Sequence, residues 1–149
     1  PKQRAAVTTE ALALYRAHRQ VAAAFSRAEV IAATVAKGPA ETWSLVQRAK
    51  ASFHPDRSGD IIVALNPRVT PIVSPLGGYV ATHGSFWDYD RRVPILFWRK
   101  GMAGFEQPLA VETVDIAPTL AATIGMKLAA PEVDGRCLDL DAGPQSSCL

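Results

Sequence analysis

Apolar positions in the first third of the chain recur at helical spacing. Leu14, Tyr15, His18, Val21, Ala22 and Phe25 fall on one face of a 3.6-residue period. Thr8 stands ahead of them with Glu10 just after it, which predicts a helix capped by Thr8 with an acid in its first turn. Ser26-Arg27-Ala28-Glu29 is a capping-box pattern and predicts a second helix from Ser26. That helix carries Val30, Ile31 and Val35 and stops at Lys37-Gly38-Pro39. A third helix is expected over residues 41–53, with Leu45, Val46, Ala49 and Phe53 as its apolar face. Residues 8–53 are thus expected to form a helical region.

The pattern then changes period. Ser58-Gly59-Asp60 reads as a turn, and Ile61-Ile62-Val63-Ala64-Leu65 is a continuous apolar run, as in a strand buried on both faces. Asn66-Pro67 ends it. Residues 70–78 hold two prolines and two glycines and read as irregular. Tyr79-Val80-Ala81 is a short extended piece leading into Thr82-His83-Gly84, and Val93–Trp98 is a second expected strand, with Pro94 at its start. Gly101–Gly104 reads as a loop. A last helix is expected over 115–124, with Asp115 as N-cap, Pro118 in the first turn and Gly125 closing the end. The fold class is α/β with few strands, so further strand partners are expected elsewhere.

Composition narrows the function classes. Sixteen basic and fourteen acidic residues leave a net charge of +2, and no basic run is present, so a nucleic-acid site is not expected. No apolar stretch approaches the roughly 18 residues of a membrane span. The chain opens on Pro1 with no signal-peptide pattern and is expected to be a processed chain or a piece of a longer one. Cys137 and Cys148 admit two readings. A bridge would close a short loop, contribute about 3 kcal/mol and require an oxidising compartment. Alternatively they are two separate thiols in a C-terminal tail.

Candidate chemistry centres on three histidines. His18 lies on the apolar face of the first predicted helix and is expected to be a core or edge histidine satisfied by a hydrogen bond. His54 precedes Pro55 at a helix end, where it would serve the last carbonyls. His83 sits between a short extended piece and the acidic Asp88-Tyr89-Asp90, in the kind of loop where α/β folds place reactive groups. Neutral imidazole is a common zinc ligand, and nearby carboxylates can orient it. By spacing alone, one histidine without a partner makes no site. The chain has no GxGxxG, Walker A loop or GxSxG elbow.

Four segments together carry a resemblance. They are Arg57–Val63; Thr82-His83-Gly84-Ser85 with Asp88-Tyr89-Asp90 and Val93–Phe97; Thr113–Leu120 ending at Gly125; and Asp134-Gly135-Arg136 with Leu138. In order and spacing the chain resembles the C-terminal portion of the alkaline phosphatase superfamily. Within it, the nearest likeness is to periplasmic, phosphomonoester-cleaving alkaline phosphatases related to type I phosphodiesterases and nucleotide pyrophosphatases. The resemblance implies the C-terminal part of a mostly parallel sheet with flanking helices. It also implies two zinc ions, a Thr or Ser nucleophile, and water as the second acceptor. It makes His83 a zinc ligand, and Thr82, Gly84, Ser85, Asp88 and Asp90 the shape and support of its loop. Gly84 is expected to allow close backbone approach to the metal pocket.

The nucleophile segment and the Asp-x-x-x-His and Asp-His segments of that family have no counterpart here. One histidine cannot hold two zinc ions. The expectation is therefore a C-terminal segment spanning 1–149 that is silent alone and completed by the missing N-terminal part. Its substrate would be a phosphate ester, and its location the bacterial periplasm or exterior. The alternatives are a phosphodiesterase or sulfatase of the same superfamily, and a non-catalytic packing or binding module.

Overall fold

A strand interrupts the region expected to be helical. The computed structural model describes residues 2–72, 74–128 and 133–148. They form two compact units, Pro1–Val93 and Pro94–Leu149. The first holds helix α1 (Lys2–Ala17), strand β1 (Val21–Ser26), helix α2 (Arg27–Ala32), helix α3 (Leu45–Ala51), strand β2 (Ile61–Leu65) and the one-turn helix α4 (Asp88–Arg91). The second holds helix α5 (Ile116–Thr123), entered through a 3₁₀ turn at Thr113–Asp115.

Helix α1 begins upstream of Thr8, so Thr8 is not its cap. The Thr8 hydroxyl instead donates back to the Arg4 carbonyl at 2.8 Å, as interior helical threonines do. The helix ends at Ala17, before the apolar stripe read from the sequence is complete. Leu14 and Tyr15 are exposed, and Leu12 is the buried residue of this helix among those described. The chain turns at His18, whose carbonyl accepts from the Val21 amide, and Val21–Ser26 becomes strand β1. Ala22–Ala24 has good helix propensity, but it pairs with β2 (Ala24 opposite Val63, Phe25 opposite Ile62). Tertiary pairing outweighs local preference here.

The pair is antiparallel and, among the described residues, makes a two-stranded sheet. The mostly parallel sheet expected from the resemblance is not found. Nor is β2 buried on both faces: Ala64 is its one buried residue. In a two-stranded sheet each strand is an edge, so partial exposure of Ile61, Ile62, Val63 and Leu65 follows. α1 packs along β1, and α2 along β1 and α3. The residues at the centre are small: Ala24, Ala49 and Ala64 are each 2% exposed, beside a fully buried Val30.

The capping box predicted at Ser26 is present. Its hydroxyl accepts from the Glu29 amide, and the Glu29 carboxylate accepts from the Ser26 amide. The helix expected over 41–53 is shorter. A 3₁₀ turn at Ala40–Thr42 and an extended Trp43 precede Ser44, which opens α3 with its own capping box to Gln47. Residues 70–78, read as irregular, contain a 3₁₀ turn at Pro75–Gly77, and Val73 lies outside the described residues.

The expected strand Val93–Trp98 makes no strand pairing among the described residues. Its alternation survives without a ladder: Ile95 and Phe97 are half-buried while Leu96 and Trp98 are exposed. A groove of about 320 Å³ is lined by Ile95, Phe97, Met102, Ile116, Leu120 and Leu140. The helix expected at 115–124 is α5, with Pro118 in its first turn. It ends in a paired turn in which Gly125, at φ 75°, donates to Ala122 and Met126 donates to Ala121. Asp115 does not cap α5 with its side chain. Its carboxylate is buried and accepts from the amides of Glu112 and Arg136, each at 2.9 Å. Thr119, also buried, donates to the Asp115 carbonyl and accepts from the Leu138 amide. The sharp approach of these strands of chain needs Gly135, where any side chain would run into the Val114 carbonyl. Cys137 and Cys148 are bridged, with Cα atoms 5.9 Å apart.

Candidate functional site

Thr82, His83 and Gly84 form an exposed loop, and Ser85, Phe86, Trp87, Asp88 and Asp90 behind them are partly buried. Gly84 takes φ 98°, a conformation that disfavours side chains, and nothing lies within 4 Å of where its Cβ would be. The backbone conformation alone favours glycine here. Asp90 closes the loop: its carboxylate accepts from the Ser85 amide at 2.5 Å. That bond, then the Ser85 hydroxyl, the Gly84 amide and the charge of His83, hold the Asp90 carboxyl below the usual carboxylate range.

The segment after the loop is anchored at several points in the first unit. The Trp87 indole N–H donates to the Leu65 carbonyl at the end of β2, 2.9 Å away. The Tyr89 hydroxyl accepts from the Arg68 amide at 2.8 Å, and Arg68 itself stands at φ 63°. Arg91 donates to the Ala40 carbonyl and lies over the Trp43 ring. Asp88 pairs with Arg48 at 3.0 Å and with Arg91 at 3.7 Å. Thus Ser85 and Asp90 shape the loop directly, while Asp88 acts on the anchoring side.

Arg48 is the residue that pattern reading missed. It is 7% exposed, on α3, and a buried charge needs a full set of partners. It donates to the carbonyls of Trp43, Glu41 and Phe86 besides pairing with Asp88. The available signal was its place three residues after Leu45 and next to Ala49, on the apolar stripe where a charge is out of pattern.

The other two histidines serve the chain locally. His18 is exposed beyond the end of α1, not on a buried helix face, because the helix stops at Ala17; its Nδ1 accepts from the Gln20 amide. The His54 carbonyl accepts from the amides of Arg57 and Ser58, and its Nδ1 from the Asp56 amide. Neither is brought together with His83 in a donor group. Among the described residues no three His, Cys, Asp or Glu side chains are grouped to hold a metal ion. His83 offers one exposed imidazole, a suitable zinc donor, and Asp90 is already engaged by Ser85. The described residues therefore fit one corner of a zinc site and not a complete one, which takes about four ligands. No helix among them is long and apolar enough to cross a membrane.

No protein-family model matches the chain. Curated proteins similar to nearly all of it are alkaline phosphatases. Alkaline phosphatase PhoK of Sphingomonas sp is 59% identical over 147 residues, covering 98% of this chain and 26% of its own length. Alkaline phosphatase PhoD of Zymomonas mobilis is 57% identical over 131 residues, covering 88% of this chain and 23% of its own length. The chain therefore spans about a quarter of the length of the curated relatives it matches.

Proposed function

We propose that this chain is the C-terminal part of a zinc-dependent phosphomonoesterase of the alkaline phosphatase type, and that His83 supplies one of its zinc ligands. The carrying observation is 59% identity across 98% of the chain to a protein named as an alkaline phosphatase. The exposed imidazole on a loop shaped by Gly84 and closed by Asp90 supports the residue assignment. The finer kinship to the type I phosphodiesterase and nucleotide pyrophosphatase branch belongs to the same proposal.

Two zinc ions would supply activation of the nucleophile and neutralisation of phosphoryl charge. The chain's own share is narrower: it presents His83 and fixes the backbone that follows it. The nucleophile and the remaining ligands would come from the rest of the protein, which is the chain's principal partner, and the substrate is a phosphate ester. The Cys137–Cys148 bridge supports a periplasmic or secreted location, where disulfides persist.

The test is His83→Ala in the full-length protein that carries these residues. The expected result is loss of zinc and a fall of about 100-fold or more in p-nitrophenyl phosphate turnover. Unchanged zinc content and turnover would overturn the assignment. Parallel assays on a phosphodiester and a sulfate ester decide between the monoesterase and its superfamily alternatives.

A further inference from the structure

We propose that Arg48 is the positioning residue of the His83 loop, setting how tightly that loop takes a zinc ion; the inference rests on the His83 reading above. The guanidinium is always charged, planar and rich in donors, so its partners are fixed in direction as well as distance. Its Nε donates to the Trp43 carbonyl at 2.9 Å and its Nη2 to the Glu41 carbonyl at 2.9 Å. Its Nη1 donates to the Phe86 carbonyl at 2.6 Å and lies 3.0 Å from the Asp88 carboxylate. One buried fork thus ties the segment ahead of α3 to the backbone three residues past His83.

The restraint continues inward. Asp88 opens α4, α4 carries Asp90, and Asp90 holds the Ser85 amide, two residues from the imidazole. Groups bonded directly to a metal ligand are worth about 10–100-fold in affinity, and Arg48 acts one step further out, through the backbone that follows His83. Loss of Arg48 would leave α4 tied through Arg91 to Ala40 and Trp87 tied to Leu65. Those remaining ties are why Asp88→Asn, which leaves the Arg48 carbonyl bonds in place, accompanies the Arg48 variants below.

The experiment compares Arg48→Met, Arg48→Lys, Asp88→Asn and His83→Ala in the full-length protein. It reads zinc affinity against a chromogenic chelator, amide hydrogen exchange over residues 84–88, and kcat and KM on p-nitrophenyl phosphate. Arg48→Met is expected to bind zinc about 30-fold more weakly, with faster exchange at Ser85–Trp87. Its kcat should fall at limiting zinc and recover in excess zinc, with KM unchanged. Arg48→Lys keeps the charge beside Asp88 but reaches fewer carbonyls, and should lose about five-fold in affinity. Asp88→Asn should shift in the same direction and serves as the deciding variant if Arg48→Met does not fold. Zinc affinity within about two-fold of wild type in the deciding variant, while His83→Ala loses zinc, overturns the positioning role alone. So does a loss that excess zinc does not restore. If His83→Ala also keeps zinc and turnover, the His83 reading fails and this inference falls with it.

Discussion

In the unit up to Val93, several cations donate into backbone carbonyls, beside carboxylates such as Glu29 on the Ser26 amide and Asp90 on the Ser85 amide. Arg48 reaches Trp43, Glu41 and Phe86, Arg16 reaches Ala24, Arg27 reaches Ser58 and Pro55, and Lys50 reaches Ile31. In the unit from Pro94 acceptor side chains on backbone amides carry more of the work, with Arg136 donating to the Ala110 carbonyl. Asp115, Thr119 and Asp139 accept from backbone amides of Glu112, Arg136, Leu138, Asp141 and Ser147, and a disulfide adds a covalent tie. Arginine donors stay charged at any pH a protein meets, and their long stems span elements far apart in sequence. Short carboxylates and hydroxyls instead fix close turns, and such a unit depends on chain crossing chain at contact distance. The candidate loop lies in the first kind of unit, where one side chain can adjust a distant segment.

That contrast can be broken most sharply at Gly135. Gly135→Ala forces the chain away from Val114 and pulls on the Arg136 and Leu138 amide bonds, and should cost about 4 kcal/mol. Hydrogen exchange should rise across residues 112–128 and 133–138 and stay near wild type over 21–65. Equal loosening of both units would mean they do not differ as described. Reducing the Cys137–Cys148 bridge comes next, at about 3 kcal/mol, again confined to the second unit. Denaturation with and without reductant, followed by segment-resolved exchange, measures it.

Ser26→Ala is the counterpart in the first unit. It removes the α2 capping box and should cost about 1 kcal/mol, seen as a lower denaturation midpoint. The smallest effect is acid sensitivity, which the units share. Glu29 is held below the usual carboxylate range by the Ser26 amide, then the Ser26 hydroxyl and Arg16. Asp139 is held below it by the amides of Ser147 and Asp141. Both groups have folded values lower than unfolded ones. Their stabilisation is therefore present above about pH 4 and lost as the pH falls through the folded values. Stability measured from pH 6 downward should decline, and Glu29→Gln and Asp139→Asn should each flatten the decline. A rise in stability over that range would contradict the assignment.

What could be read from the sequence followed how local its cause was. The Ser26 capping box, the apolar run at 61–65 and the Gly125 helix end each depend on a few neighbouring residues, and each is found. β1 was hidden because Ala22–Ala24 favours helix locally and becomes strand through a partner some forty residues away. Val93–Trp98 kept its alternation but has no ladder among the described residues, because pairing requires a neighbour that periodicity does not supply. Asp115 looked like a cap because it stands where caps stand, and its buried bonds run to Glu112 and to Arg136, far along the chain. For the candidate loop, the place of His83 was readable from its surroundings in sequence. Its anchoring by Arg48 was not, since that depends on which carbonyls fold within reach.

The small buried residues of each unit have a consequence for how it can change. Ala24, Ala49 and Ala64 in the first unit and Ala121 in the second are buried, so the chain around each leaves little room for a larger side chain. At these positions there is almost nothing left to truncate and little room for growth. A library randomised at these four positions should return chiefly glycine, alanine and serine. Diversification of the protein would then run through its many exposed apolar and charged positions, with the interior acting as a ceiling on side-chain size.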